Sequence, residues 1–95
     1  MALLGDDDLS TALVLLPGWG LENGALAKAY VFPDGFMAAM GFVNRVAEAA
    51  ERADHHPDID IRWNTVTLRL VTHSEGGITD KDTALAAECD RLAAA

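Results

Sequence analysis

The sequence predicts an α+β fold: a four-stranded antiparallel sheet with three helices on one face, in the order α-β-β-α-β-β-α. Three observations predict it. Ile59, Ile61 and Trp63 alternate with polar residues, and so do Val66, Leu68 and Leu70 just beyond, which is the period of a sheet with one buried face. Asn23-Gly24, a dipeptide that tolerates positive φ at both turn positions, separates two further β-prone runs. Between these two hairpins, apolar residues recur at the three- and four-residue steps of an amphipathic helix.

Along the chain, residues 1–8 read as a loose acidic lead, and Ser10 as the N-cap of a short helix that stops before Pro17-Gly18. Residues 19–22 and 25–32 form the first hairpin. Pro33-Asp34-Gly35 then breaks the strand and starts the long helix, whose stripe of Phe36, Met40, Val43, Ala47 and Ala50 should face the sheet. A second set, Phe42, Val46, Ala49 and Ala53, widens the apolar sector beyond what one sheet contact needs and marks a candidate oligomer surface. This helix must end near Asp54, because Pro57 disfavours helical geometry at His56.

With Asn64-Thr65 as a two-residue turn, the second hairpin sets Trp63 against Val66, Ile61 against Leu68 and Ile59 against Leu70, with Trp63 packed in the core. The same register brings Asp60 across from Arg69 and, carried past Pro57, His56 across from His73. Gly76-Gly77 marks a loop. Thr79 with Asp82 three residues on resembles a capping box, opening a last helix through Leu85, Cys89 and Leu92.

The chain has 95 residues, 51% hydrophobic and 23% charged, which fits one compact domain over residues 1–95 and excludes a disordered tail or a multidomain enzyme. A domain this small buries only about two-thirds of its unfolded surface, so self-association is expected. A net charge of −8 is opposite in sign to a phosphate-binding footprint and argues against direct nucleic-acid binding. Cys89 is the sole cysteine, which excludes an internal disulfide and a CxxC zinc site and fits a reducing, cytoplasmic setting. The apolar stretch 13–16 before Pro17 is far too short for a membrane span and follows no basic segment, so neither a membrane association nor a signal peptide is expected.

Chemistry concentrates at the histidines. His55 and His56 stand where the long helix gives way to a strand, and His73 where the next hairpin ends. Imidazoles hold a proton donor and an acceptor together near neutral pH, and Glu51, Asp54 and Asp58 lie close in sequence to orient them. The plainer alternative is that His-His-Pro only terminates a helix and His73 is a solvated strand end.

The run Glu51-x-x-x-His55-His56-Pro57, then Trp63-Asn64, Thr72-His73, Gly77-Ile78-Thr79 and Asp82, closely resembles the signature of the pterin-4a-carbinolamine dehydratase family. Leu16-Pro17-Gly18-Trp19 and Phe42-x-Asn44-Arg45-Val46 are similar too, so the resemblance covers most of the chain from Ser10 onward. It implies a hydro-lyase that dehydrates 4a-hydroxytetrahydropterin to quinonoid dihydropterin in tetrahydrobiopterin recycling, linked to aromatic amino-acid hydroxylation. The pterin is then the substrate, with no further cofactor and no metal. By matching position, His55 and His73 take the acid/base roles and His56 binds and orients the pterin. Glu51, Pro57 and Asp82 are supporting: a carboxylate to orient a histidine, a stiff turn, and a helix cap. The sheet's polar face and the helix-end loop would form a shallow pterin pocket, and the assembly would be a homodimer or homotetramer. Ile59 departs from the pattern, because many relatives carry a tryptophan there, and this bears on substrate fit.

Two other readings compete. Proteins of this fold also act as a dimerisation cofactor of a homeodomain transcription factor and as dehydratase-like Rubisco assembly factors, which makes a non-catalytic binding role the alternative. The retained histidine triad argues for catalysis. A metal site is chemically open to three imidazoles, but adjacent His55 and His56 would aim their rings apart on entering a strand.

Overall fold

A computed structural model describes residues 2–95, and its elements follow the predicted order. Helix α1 spans Asp6–Val14, earlier than Ser10 suggested. Gly5 precedes it in extended conformation, and Asp6, Asp7 and Asp8 fill the first turn, where the partial positive charge of a helix N-terminus favours carboxylates. Ser10 therefore lies inside the helix rather than at its cap. Nor are residues 2–8 a loose lead, although Met1 of that segment lies outside the described residues. The Leu4 N–H donates to the Ile78 carbonyl at 2.9 Å, and Leu3 bridges to Thr79.

Strands β1 (Gly20–Glu22) and β2 (Ala25–Val31) meet at Asn23-Gly24, where φ is 51° and 80°, the paired positive values that an Asn-Gly turn accommodates. Strands β3 (Asp58–Arg62) and β4 (Thr65–Leu70) complete an antiparallel sheet of order β1-β2-β4-β3.

The second turn falls at Trp63-Asn64, one residue earlier than predicted. Asn64 is tied to the end of β2: its carbonyl accepts from the Phe32 N–H at 2.9 Å, and its amide donates to the Phe32 carbonyl at 3.1 Å. Each β3 residue consequently pairs two positions earlier on β4, Ile59 with Leu68, Ile61 with Val66 and Asp58 with Arg69. An even shift preserves the side-chain faces, so the apolar match survives. Trp63 does not. It sits in the turn at φ 53°, 70% exposed, and contributes nothing to the core. The pairing also ends at Asp58, so strand register does not bring His56 and His73 together.

Helix α2 (Phe36–Ala53) buries Ala39, Phe42, Val46, Ala49 and Ala50, so the buried face centres on the second predicted set; of the first, Ala50 is buried and Val43 packs against the core, while Ala53 of the second is exposed. The ring of Phe42 sets this rotation, with its centroid 4.8 Å from Tyr30 and 5.0 Å from Phe32. Helix α3 (Asp80–Ala93) packs beside α2 and adds Leu85, Ala86, Cys89 and Leu92 to the core. Both cover the sheet face that carries Leu26, Tyr30, Val66, Leu68 and Leu70, and Leu9 and Leu13 of α1 pack against the same core. Phe36 and Ala47, assigned to the sheet by their spacing, are exposed.

One polar strut crosses this assembly. Asp90 Oδ1 accepts from Trp19 Nε1 at 3.1 Å, Lys28 Nζ at 2.8 Å and the Tyr30 hydroxyl at 2.5 Å, tying α3 to β2. Burial works to raise the Asp90 carboxyl, but the hydrogen bonds from Lys28, Tyr30 and Trp19 outweigh it and hold the group below the usual carboxylate range. Next to it, burial pushes the Cys89 thiol up to about 12. No helix among the described residues is long and apolar enough to cross a membrane.

Candidate active site

The site grows from the way α2 ends. Asp54 caps the helix in the left-handed region (φ 50°, ψ 44°), and the His55 N–H turns back to the Ala50 carbonyl at 3.1 Å. This reversal aims the His55 ring at the start of α3. There Nε2 lies 2.6 Å from Asp82 Oδ1, with the imidazole 11% exposed and the carboxylate fully buried.

A buried carboxylate is tolerable only when its oxygens are hydrogen-bonded, and this one is well supplied. Asp82 Oδ2 accepts from the Thr79 N–H at 2.9 Å and from the Thr72 hydroxyl at 2.8 Å. Because the Thr72 hydroxyl has a single proton and gives it to Asp82, its oxygen must accept from the Thr79 hydroxyl 2.8 Å away. Thr79 Oγ1 in turn accepts from the Lys81 N–H at 3.2 Å. The chain of bonds runs one way, from the first turn of α3 to the carboxylate. An ionised carboxylate has no proton to give at Oδ1, so against it His55 Nε2 donates, which leaves Nδ1 as the ring's acceptor in the neutral imidazole.

The expected capping box is present, with Thr79 as N-cap and Asp82 at the third helical position. Sequence spacing found the cap but missed that the same carboxylate holds His55. Nothing in the linear pattern pairs residues 55 and 82.

His56 is exposed, and its Nε2 pairs with Glu51 Oε2 from the last turns of α2. Glu51 thus orients His56 rather than His55. Pro57 follows and leads the chain into β3. His73 opens a single 3-10 turn, His73–Glu75, closed by Gly76 at φ 75°. The Glu75 and Gly76 N–H groups both donate to the Thr72 carbonyl at 3.0 Å, and the Thr72 N–H donates to the Gly77 carbonyl at 2.9 Å, so the loop that carries His73 is tightly closed.

All three imidazoles line one cleft of about 270 Å³, together with Asp54, Val71, Thr72, Ser74 and Lys81. Three chain reversals bring them together: the end of α2, the turn after β4 and the start of α3. The polar sheet face plays no part, contrary to expectation. Its depression, lined by Asp60, Arg62, Thr65, Thr67 and Arg69, shares no residue with the histidine cleft. Among the described residues no group of three His, Cys, Asp or Glu side chains stands in metal-holding geometry. His55 and His56 turn to different carboxylates.

Three lining residues escaped the sequence reading, Val71, Ser74 and Lys81, and Thr72 entered it only as part of the signature, without its bond to Asp82. Lys81 did leave a signal: a cation in the first turn of a helix opposes the helix dipole and so calls for another reason to be there. Beside the cleft, and sharing His55 and Lys81 with it, a groove of about 390 Å³ runs between α2 and α3.

Set against known proteins, residues 2–92 match the family model described as pterin 4 alpha carbinolamine dehydratase. A protein of Mycobacteroides abscessus, provisionally named a pterin-4-alpha-carbinolamine dehydratase, is 59% identical over 90 residues, 95% of each chain. One from Nocardia farcinica with the same provisional name is 53% identical over 91 residues, 96% of this chain and 95% of its own. A crystal structure of a transcriptional coactivator/pterin dehydratase from Brucella melitensis superposes with a TM-score of 0.91 at 33% identity, covering 96% of this chain and 98% of that one. A pterin dehydratase-like protein identified as a RuBisCO assembly factor of the alpha-carboxysome shares the fold, with a TM-score of 0.64 at 24% identity over 79% of this chain and 86% of its own. Because the family model runs along nearly the whole chain and relatives are more than half identical over the same span, this chain belongs to the pterin 4 alpha carbinolamine dehydratase family.

Proposed function

We propose that the chain dehydrates 4a-hydroxytetrahydropterins to quinonoid dihydropterins, with His55 and His73 moving the protons and His56 holding the pterin. The observation that carries this reading is the buried Asp82 on His55, in a cleft that also receives His56 and His73. A single exposed imidazole would be ordinary. An imidazole fixed by a satisfied buried carboxylate, next to two accessible ones, is suited to proton transfer.

In the reaction the C4a–O bond breaks. One ring protonates the departing hydroxyl, which leaves as water, and the other takes the N5 proton, so that the N5 electrons form the new N5=C4a bond. One proton is given and one taken, and proton exchange with solvent at each ring restores the pair. The step calls for neither a cofactor nor a metal, because the electrons that expel water come from the pterin itself. Positioned acid/base groups contribute about 10²–10⁴-fold each.

The same reading makes the chain a cytoplasmic hydro-lyase of tetrahydropterin recycling that follows aromatic amino-acid hydroxylation. The free thiol of Cys89 suits a reducing compartment. Phe36 and Met37, 47% and 77% exposed at the start of α2, supply apolar surface for a homodimer or homotetramer. The likeness to the assembly factor concerns the fold alone, and the His55–Asp82 pair favours catalysis over a purely binding role.

The test is stopped-flow dehydration of chemically generated 4a-hydroxytetrahydropterin. His55→Ala and His73→Ala should each slow it by about 10²–10⁴-fold with the fold intact. Full activity in the double variant would overturn the proposal.

A further inference from the structure

Seven lysines and arginines serve fifteen acidic residues, so nearly every cation should find a partner. Five do. Lys28 binds Asp90, Arg45 the Leu92 carbonyl, Arg62 Asp60, Arg69 Glu22 and Arg91 Glu88. Arg52 and Lys81 are the two whose side chains make no hydrogen bond or ion pair among the described residues, and both line the groove between α2 and α3 beside His55.

One groove of a chain with net charge −8 thus gathers two cations whose side chains are held by no hydrogen bond or ion pair among the described residues. Lys81 also stands against the dipole of α3, so its placement costs stability unless something anionic is met. The groove floor is small and apolar, made by Ala49, Ala53, Ala84 and Leu85. Glu88 lines the groove as well, but its carboxylate is engaged by the guanidinium of Arg91. That bond holds it below the usual carboxylate range, assisted more weakly by the charge of Arg52.

Size supplies a second argument. The histidine cleft, about 270 Å³, falls just short of the roughly 300–1,000 Å³ usual for small-molecule sites, so a ligand of ordinary size would draw on adjoining space. The 390 Å³ groove adjoins it, the two sharing His55 and Lys81 in their walls.

We infer that the groove between α2 and α3 seats the C6 substituent of the pterin, and that Arg52 and Lys81 select substrates whose C6 chain ends in a carboxylate or phosphate. The inference rests on the pterin reading and narrows its substrate class. Arg52 offers a planar fork to an oxyanion, Lys81 a mobile point charge, and the alanine floor admits the chain between them.

Fluorescence titration of the full-length chain with 7,8-dihydropterins tests this directly, using three C6 chains: neutral dihydroxypropyl, carboxylate-ended and phosphate-ended. The anionic ligands should bind about tenfold tighter than the neutral one at low salt, and added salt should erode the advantage. In Arg52→Gln/Lys81→Gln the ratio of neutral to anionic Kd should fall to about one, whichever anion is used. Equal Kd for all three ligands with the native chain, or a ratio that survives the double substitution, overturns the inference. Turnover of the neutral 4a-hydroxy substrate is read separately. A chain that dehydrates it without any anionic preference loses only this inference, one that prefers anionic pterins but turns none over loses only the dehydratase reading, and one that binds no pterin loses both.

Discussion

Asp82 performs two tasks, capping α3 and holding His55, and Asp82→Asn separates them. The asparagine carbonyl can still accept from the Thr79 N–H and the Thr72 hydroxyl, now at 2.9 and 2.8 Å, so the cap survives. The amide nitrogen then faces His55 Nε2 across what is now a 2.6 Å contact. Two donors cannot share that line, so the imidazole must shift its proton to Nδ1 or rotate away. Losing one charge-assisted hydrogen bond costs about 1.5–3 kcal/mol, and each kcal/mol lowers Tm by about 4–8 °C in a domain of this size. Stability of that order leaves the chain folded at 25 °C when the native margin is typical, about 5–15 kcal/mol. The dehydration rate should nevertheless fall by about 10²–10⁴-fold, because the proton now resides on the wrong ring nitrogen. Stopped-flow dehydration and thermal unfolding give the two magnitudes, and 15N chemical shifts of the imidazole report the tautomer. A lower Tm with an unchanged rate and an unchanged tautomer would refute the reasoning and leave Asp82 a helix cap.

Three further outcomes can be checked. His56→Ala should raise KM for the pterin while kcat changes little, since its ring and Glu51 are exposed; a fall in kcat at unchanged KM would move His56 into the proton-transfer step. Asp90, held below its ordinary value, contributes stability that is complete above the unfolded carboxyl value of about 3.9 and is lost as pH falls through the lower folded value. The Tm gap between the native chain and Asp90→Asn should accordingly narrow below about pH 4, and a gap that stays constant from pH 7 to pH 3 would count against the strut. Trp63 occupies a left-handed turn position with its side chain in solvent, a conformation that costs a non-glycine residue about 1–2 kcal/mol; Trp63→Gly should raise Tm, and a lower Tm would mean that the indole packs after all.

Much of the architecture was legible because its signals are local. Period-two alternation, Asn23-Gly24, Pro57 after the long helix and the Thr79/Asp82 cap each act over a few residues, and each has its counterpart in the fold. The misreadings share a different origin. Ser10 looked like a cap because its competitor Gly5 is fixed by what precedes α1, where Leu3 and Leu4 are held by residues 78 and 79. The turn at Trp63-Asn64 is set by the two hydrogen bonds between Asn64 and Phe32, just past the end of β2, and spacing along one hairpin does not contain them. The rotation of α2 depends on where the rings of Tyr30 and Phe32 stand, so two apolar stripes of similar strength could not be ranked from their period.

The candidate site divides the same way. Residue types and the family signature singled out the candidate side chains, His55, His56 and His73, because the capacity of an imidazole to exchange protons near neutrality belongs to the residue itself. Which carboxylate serves which ring was decided only by the tertiary structure, which set Asp82 on His55 and Glu51 on His56. So was the cleft, gathered by loops rather than by strand register, and the unpartnered charge of Arg52 and Lys81 beside it. The physical reason is range. Propensity and periodicity act between neighbours along the chain, whereas hydrogen-bond direction, burial and charge compensation are properties of residues that meet only after the chain has folded.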